Sequence, residues 1–150
     1  MLAQDLEALL DLYGDEIKTA IQQRLKTDNK YATGKAYNEL VKRVTPNSLS
    51  IEGWKYIEVI SGGREPGKKA PPTKKIEEWI EAKNVKYKKG RLKSIAFIIA
   101  KRIGERGIKG NNMLTDIRQN IIPRFDKDLA DIIQDEILRI TANVGNQRTN

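Results

Sequence analysis

Apolar residues recur at three- and four-residue steps along most of this chain, and that spacing restricts it to a mainly helical fold. Such steps place apolar side chains on one face of an α-helix, where they pack on a neighbouring element. In the N-terminal segment the pattern predicts one long helix that ends in the polar residues 27–30. Its apolar positions are Leu6, Leu9, Leu10, Tyr13, Ile17, Ile21 and Leu25.

The same periodicity predicts four further helices in the second half of the chain. We expect one over residues 73–83, with Thr73 as its cap. Trp79 lies on its apolar face, where we expect core packing, with an interface anchor as the alternative. Another is expected over residues 91–106, stopped by the glycine that follows. A short helix should end ahead of Pro123, because proline disfavours the helical conformation in the residue before it. A last helix then begins at Asp126.

Residues 40–61 carry the signals of β-structure, since they are rich in Val, Ile, Thr, Trp and Tyr. The turn residues Pro46-Asn47 divide them into strands at residues 41–45 and 49–60, which predicts a hairpin whose second strand is either continuous or interrupted near Gly53. Two strands alone are marginally stable in water, so this ribbon must pack on helices or join strands of another subunit. We therefore predict an α+β fold that is mainly helical. Its small antiparallel β-hairpin or sheet packs against the long N-terminal helix and the C-terminal helices.

The length of 150 residues suits a single domain, residues 1–150, with an extended loop at about residues 61–72. The longest apolar run, IAFIIA, is far shorter than the roughly 20 residues that a bilayer span requires. The N-terminus lacks a basic segment ahead of an apolar one and carries acidic residues, so a signal peptide is not expected. We expect neither export nor contact with a membrane.

The chain contains neither cysteine nor histidine, which narrows the chemistry open to it. Thiol catalysis, disulfides and zinc–thiolate sites are excluded, and the commonest general base and metal ligand are missing. Carboxylate–magnesium chemistry remains open in principle. The acidic residues, however, lie mostly at helix-surface positions without a tight cluster, where ion pairing with Lys and Arg is their usual role. We expect no catalytic residues, no metal site and no cofactor.

The segment GGREPGKKAPP raises the question of a nucleotide-binding loop, because it contains the spacing G-x-x-x-x-G-K. Such a loop needs a Ser or Thr after the lysine and a helix that begins at once, with its N-terminus aimed at the phosphates. Here Lys69, and not a Ser or Thr, follows the motif lysine Lys68. Pro71-Pro72 force extended backbone and remove two backbone N–H donors. The sequence therefore argues against a P-loop.

The net charge of +8 and the isoelectric point near 9.6 favour an acidic partner, although a lysine-rich solvated surface explains them as well. The basic residues are densest between Lys83 and Lys109, with Tyr87 among them. A surface that meets DNA without sequence preference fits this stretch, and so does one that meets an acidic protein. The candidate DNA-facing residues are Lys86, Lys88, Lys89, Arg91 and Lys93.

An ordered series of short motifs crosses the middle of the chain. Its members are Ala32-Thr33-Gly34, Tyr56-Ile57-Glu58, the turn with Pro66-Gly67 and Pro71-Pro72, Ile76 with Trp79, Ala96-Phe97 with Ile99-Ala100, and Gly107 to Gly110. In this order and spacing the chain resembles the tail-completion or head–tail joining (neck) proteins of tailed bacteriophages. The resemblance covers about residues 32–114. Lys83-Asn84 and residues 111–114 depart from the family's usual Lys-Gly and aromatic residues, which leaves the ring position open.

The resemblance implies a structural virion protein with no enzymatic activity, found in the neck or tail region after synthesis in the host cytoplasm. It implies a homo-oligomeric ring that contacts neighbouring portal, neck or tail proteins and touches channel DNA without sequence preference. Our hypothesis for the glycine- and proline-rich loop is an arm that reaches a neighbouring subunit or ring. Its contact residues would be Arg64, Glu65, Pro66, Lys68 and Lys69. The alternative is a small basic DNA-binding regulatory protein.

Overall fold

The computed structural model describes residues 2–30, 34–54 and 56–147. Within them the chain is mainly helical with one two-stranded antiparallel sheet, which confirms the predicted fold class. The motif Ala32-Thr33 lies outside the described residues. The elements are α1 Leu2–Thr27, α2 Lys35–Asn38, β1 Val41–Thr45, β2 Ser48–Glu52, α3 Tyr56–Gly62, α4 Thr73–Ala82, α5 Leu92–Arg106 and α6 Met113–Gln147.

The elements form two compact units, and each unit is built from separate stretches of the chain. The first unit contains α1 as far as Ala20, the hairpin β1–β2, and α6 from Asp116 onward. The second unit contains residues Ile21–Leu40 and Gly53–Thr115. Whether they fold as the single domain expected from the length stays a prediction.

In the first unit the hairpin packs on α1 through Gly14. The strands pair from Val41 opposite Glu52 to Thr45 opposite Ser48. A Cβ atom at position 14 would lie 2.6 Å from Cδ of Lys42 and 2.7 Å from Cδ1 of Leu49, so a larger residue there would require these two flexible side chains to shift. Gly14, which lowers helix propensity, thus lies where the hairpin approaches the helix closely.

Ion pairs around the same contact tie the hairpin and α6 to α1. Lys42 Nζ donates to Oδ1 of Asp11 at 2.7 Å and to Oδ1 of Asp15 at 2.6 Å, and these hydrogen bonds raise the pKa of Lys42. On α6, Arg124 pairs with Glu16. The ring of Phe125 meets that of Tyr13 edge-on with centroids 5.3 Å apart.

Helix α6 runs through Pro123, so the prediction of two helices divided at that proline is wrong. A proline inside a helix costs about 3 kcal/mol or more, because it removes a hydrogen bond and its ring crowds the preceding turn. Packing on both sides offsets this cost: Ile121 is buried just before the proline, and Phe125 contacts Tyr13 just after it. Tertiary contacts thus override the local breaker.

The predicted second strand, residues 49–60, is also wrong over its second half. The strand ends at Glu52, and residues from Tyr56 to Gly62 form α3. Ile57, Ile60 and Ser61 are buried at helical spacing, so one face of a short helix fills the core where β-branched residues had favoured a strand. The first strand, Val41–Thr45, agrees with its prediction residue for residue.

Two predictions for α4 need correction. Pro72, not Thr73, occupies the N-cap position, and Thr73 is the first helical residue. Trp79 is 41% exposed whereas Ile80 is fully buried, so Trp79 is not a core residue. Helix α4 packs on α5, and Ile80 is its buried residue.

The predicted helix ends are accurate where left-handed residues stop them. Asn84, at φ 51°, donates to the carbonyl of Glu81, and Val85 donates to that of Ile80, both at 3.0 Å. Asn29 closes α1 in the same manner. These paired bonds satisfy carbonyls that the helix itself leaves free.

Candidate interaction site

Two glycine-rich segments of the second unit lie side by side and form what we call the loop pair, residues 61–67 and 107–112. Arg64 N donates to the carbonyl of Ile108 at 2.7 Å, and Ile108 N donates back to the carbonyl of Arg64 at 2.8 Å. Further along, Asn111 N donates to Ile60 O at 3.0 Å, and Asn112 N donates to Ser61 O at 2.9 Å. The two turns therefore form a single hydrogen-bonded structure.

Glycine is required where the segments cross. Gly107 has φ 71°, and a Cβ atom there would lie 2.1 Å from the carbonyl oxygen of Arg64. A Cβ at Gly110 would lie 2.3 Å from Ser61 O. Both are backbone clashes that no side-chain rotation relieves. The glycines are thus explained by close approach of the two backbones.

Side chains anchor the loop pair to the neighbouring helices. Asn111 Nδ2 donates to Oδ2 of Asp28 at 2.7 Å, and Arg24 Nη2 donates to the carbonyl of Asn111 at 3.1 Å. The hydroxyl of Ser61, which is 5% exposed, accepts the backbone N–H of Leu114 at 2.9 Å. This bond satisfies one of the free donors in the first turn of α6.

The loop then continues along α5. Gly67 N donates to the carbonyl of Gly104 at 2.8 Å. A Cβ at Gly104 would lie 3.1 Å from Lys68 O and 3.2 Å from Cα of Ala70, tighter than ordinary contact. The backbone of the loop is therefore fixed on the last turns of α5, while its side chains from Glu65 to Ala70 are exposed.

Beside this contact lies a shallow, mainly apolar depression of about 540 Å³, which we call the α5 groove. Phe97 stands at its edge and is 60% exposed, although aromatic rings are normally covered. Charged side chains at the rim form exposed pairs, Lys68 with Glu65 at 3.5 Å and Lys101 with Glu105 at 3.8 Å. The lining residues are Gly67, Lys68, Ala70, Pro71, Thr73, Phe97, Ala100, Lys101, Gly104 and Glu105.

The predicted loop residues lie at this site, and backbone hydrogen bonds hold the segment that carries them. Arg64 is half-buried, pairs with Ile108 and donates through Nη2 to the carbonyl of Lys69. Glu65, Pro66, Lys68 and Lys69 are exposed. Their contact with a neighbouring subunit stays a prediction.

The predicted basic surface is exposed and lies elsewhere. Its members Lys86, Lys88, Lys89 and Arg91 occupy the connector between α4 and α5, and Lys93 lies in the first turn of α5. At 1.5 Å per residue, Lys93 lies about 6 Å along the helix from Phe97, at the near edge of the groove, and about 17 Å from Gly104. The basic surface is therefore at the start of α5, and the groove begins about one turn further along.

The groove was missed from the sequence, although a signal for it exists. Ala96, Ala100 and Gly104 recur every four residues on α5, and all three are buried. Such a stripe of small residues lets another backbone approach a helix closely. What the stripe does not disclose is which segment approaches, because that depends on the distant residues 67–71.

The geometry of a P-loop is not formed. Helix α3 precedes the segment where a nucleotide-binding loop follows a strand, and no helix begins until Thr73. Across the described residues, no group of three or more carboxylates is placed to hold a metal ion. Nor does any helix in those ranges combine the length and apolar character of a membrane span.

Comparisons with protein families, curated proteins and solved structures found no significant match.

Proposed function

We propose that this chain is a structural subunit of a tailed-bacteriophage virion that forms a ring in the neck, joining the portal side of the head to the tail or terminating the tail. The observation that carries the proposal is the loop pair. Two of the motifs that resemble neck proteins, the turn at Pro66-Gly67 and the turn from Gly107 to Gly110, belong to one hydrogen-bonded structure. The two motifs thus share one structural role, which is to hold each other in place.

The exposed surfaces support an assembly role. A rigidly held loop with exposed charges beside an apolar groove suits a surface completed by another protein. Large apolar side chains are also exposed on α5 and on the distal part of α6, among them Phe97 and Ile137. These features fit a structural component without catalytic chemistry or a cofactor.

Assembly in virions is the direct test of this function. Disrupting the gene should leave separate heads and tails in electron micrographs, and the chain should be found in purified wild-type particles by mass spectrometry. Complete particles formed without the chain would contradict the proposal.

The role of the loop requires a variant that keeps its backbone bonds. Reversing the charges in Glu65→Lys, Lys68→Glu and Lys69→Glu leaves the bonds of Arg64 and Gly67 in place. We expect this variant to fold but to block assembly of particles. A matched control reverses the exposed charges of α4, with Lys74→Glu, Lys75→Glu and Glu78→Lys, and should assemble.

The exposed basic connector favours contact with DNA, either in the channel or as a small regulator. No acidic residue lies in the first turn of α5, so Arg91 and Lys93 add to the positive end of the helix dipole. Channel contact predicts weak binding that falls steeply with salt and is independent of sequence. Tight, sequence-specific binding by a monomer or dimer in a gel shift at physiological salt would favour the regulator.

A further inference from the structure

The distal half of α6 carries an uncovered apolar row that we call the distal stripe: Ile133, Ile137, Ile140 and Val144. Their steps of four, three and four residues place them on one side of the helix, and each is between 44% and 59% exposed. Over about 16 Å of helix, this is the anchor spacing of a helix that lies in a groove of a partner.

The α5 groove has the complementary character. Ala100 and Gly104 offer little side-chain bulk, and Ala70, Pro71 and Phe97 provide apolar walls. Phe97 is exposed in the single chain, as the distal stripe is. Both surfaces are apolar, and the stripe is a ridge where the groove is a depression, so their shapes are complementary.

Charge decides which surfaces pair. Residues 133–144, which carry the stripe, contain two acidic side chains and one basic one, whereas residues 97–106, along the groove, contain three basic side chains and one acidic one. Two distal stripes brought together would place acidic segments side by side, while a stripe and a groove bring opposite charges together. Electrostatic complementarity therefore favours the unlike pair over a symmetric pairing of two α6 helices.

We propose that the distal stripe of one copy binds the α5 groove of a second copy. The contact is heterologous, because each copy contributes a different surface to its two neighbours, and repetition produces a closed ring or an open filament. The inference rests on the proposed ring function and names the surfaces that join its subunits.

Mixing two complementary variants tests the proposal with the full chain. The stripe variant carries Ile137→Asp and Ile140→Asp, and the groove variant carries Phe97→Asp and Lys101→Glu. All four positions are exposed, so both variants should keep the wild-type circular dichroism spectrum. By light scattering after size-exclusion chromatography, wild type should form higher oligomers and each variant alone should be a monomer. Their equimolar mixture should form a heterodimer only, because one intact stripe meets one intact groove.

Matched controls come from the same two helices. Leu138 is 60% exposed on α6 but lies off the stripe, and Ile98 is 54% exposed on α5 but does not line the groove. Leu138→Asp and Ile98→Asp should therefore oligomerise as wild type does.

Several results would overturn the proposal. Wild type that is monomeric at every concentration would exclude self-association through these surfaces. Oligomers that survive either variant would place the contact elsewhere, and loss with the stripe variant alone would indicate that stripes pair with each other. Each of these results is distinguishable from failure of the virion function, which is judged by whether the chain occurs in particles and joins heads to tails.

Because the natural chain has no cysteine, a disulfide can report the contact directly. A mixture of Phe97→Cys and Ile140→Cys chains should form a heterodimeric disulfide under mild oxidation. Replacing Ile140→Cys by Leu138→Cys should reduce its yield at least several-fold. Equal yields would count against the proposed pairing.

Discussion

In the loop pair, residues 61–67 and 107–112 satisfy each other's backbone groups, with glycines where the chains cross. In the distal half of α6 the helix satisfies its own backbone, and large apolar side chains remain exposed. Substitutions of the glycines and of Ser61 in the loop pair should therefore act on folding. The proposed contact with a second copy predicts that substitutions in the distal stripe act on association instead.

Within the loop pair, the largest effect is expected from Gly107→Ala. Its Cβ would meet the carbonyl of Arg64 while the residue keeps a positive φ, so the free energy of unfolding should fall by about 3–4 kcal/mol. Urea denaturation measures this loss. Gly62→Ala is the control, because nothing lies within 4 Å of a Cβ there and the residue is helical. Similar losses in the two variants would contradict the importance of the close crossing.

Ser61→Ala should have a smaller effect on stability than Gly107→Ala. It removes the buried hydroxyl that accepts Leu114 N at 2.9 Å and leaves a donor at the start of α6 unsatisfied. We expect a loss of about 1–2 kcal/mol in the same denaturation experiment. Ser94→Ala, at an exposed position of α5, should be neutral or slightly stabilising. An equal loss at both serines would mean that the cap contributes nothing.

Ile137→Ala should separate stability from association. The side chain is 59% exposed, so the unfolding free energy of the monomer should change by less than about 0.5 kcal/mol. Self-association, measured by light scattering, should nevertheless weaken. In Ile80→Ala, by contrast, a fully buried side chain is removed, and a loss of about 2–5 kcal/mol is expected. A comparable loss of stability in Ile137→Ala would contradict the expectation that the distal stripe acts on association and not on folding.

The smallest effect concerns the part of α6 that packs on α1. Tyr13 donates its hydroxyl proton to Asp128 Oδ2 at 2.7 Å, and this bond, together with burial, raises the pKa of Tyr13 above 10.0. Its contribution to stability is therefore fully present below pH 10 and is lost as the pH rises through the raised value.

Ultraviolet titration of tyrosinate tests this sign. Wild type should show a late component that disappears in Tyr13→Phe and moves to lower pH in Asp128→Asn. A titration curve that is unchanged in Asp128→Asn would mean that the hydrogen bond does not set the pKa. The same measurement should be unaffected by variants of the distal stripe.

Local signals predicted the elements whose limits depend on neighbouring residues. Strand β1 and helix α5 follow from the period of their apolar residues, and Asn84 and Gly107 end helices because they adopt positive φ. Strong local signals gave wrong predictions at two places: a strand where α3 forms, and a helix end at Pro123. There, burial of Ile57 and Ile60 and the contact of Phe125 with Tyr13 override the local preference.

The sequence by itself determined a mainly helical chain with one hairpin, a basic middle and no cysteine or histidine. Those properties depend on side-chain period and composition, which can be read along the chain. The tertiary structure alone decided that the two glycine-rich turns bond to each other and that residues 67–71 approach Gly104. These contacts join residues far apart in sequence, and backbone hydrogen bonds, which carry no residue-specific pattern, hold them together.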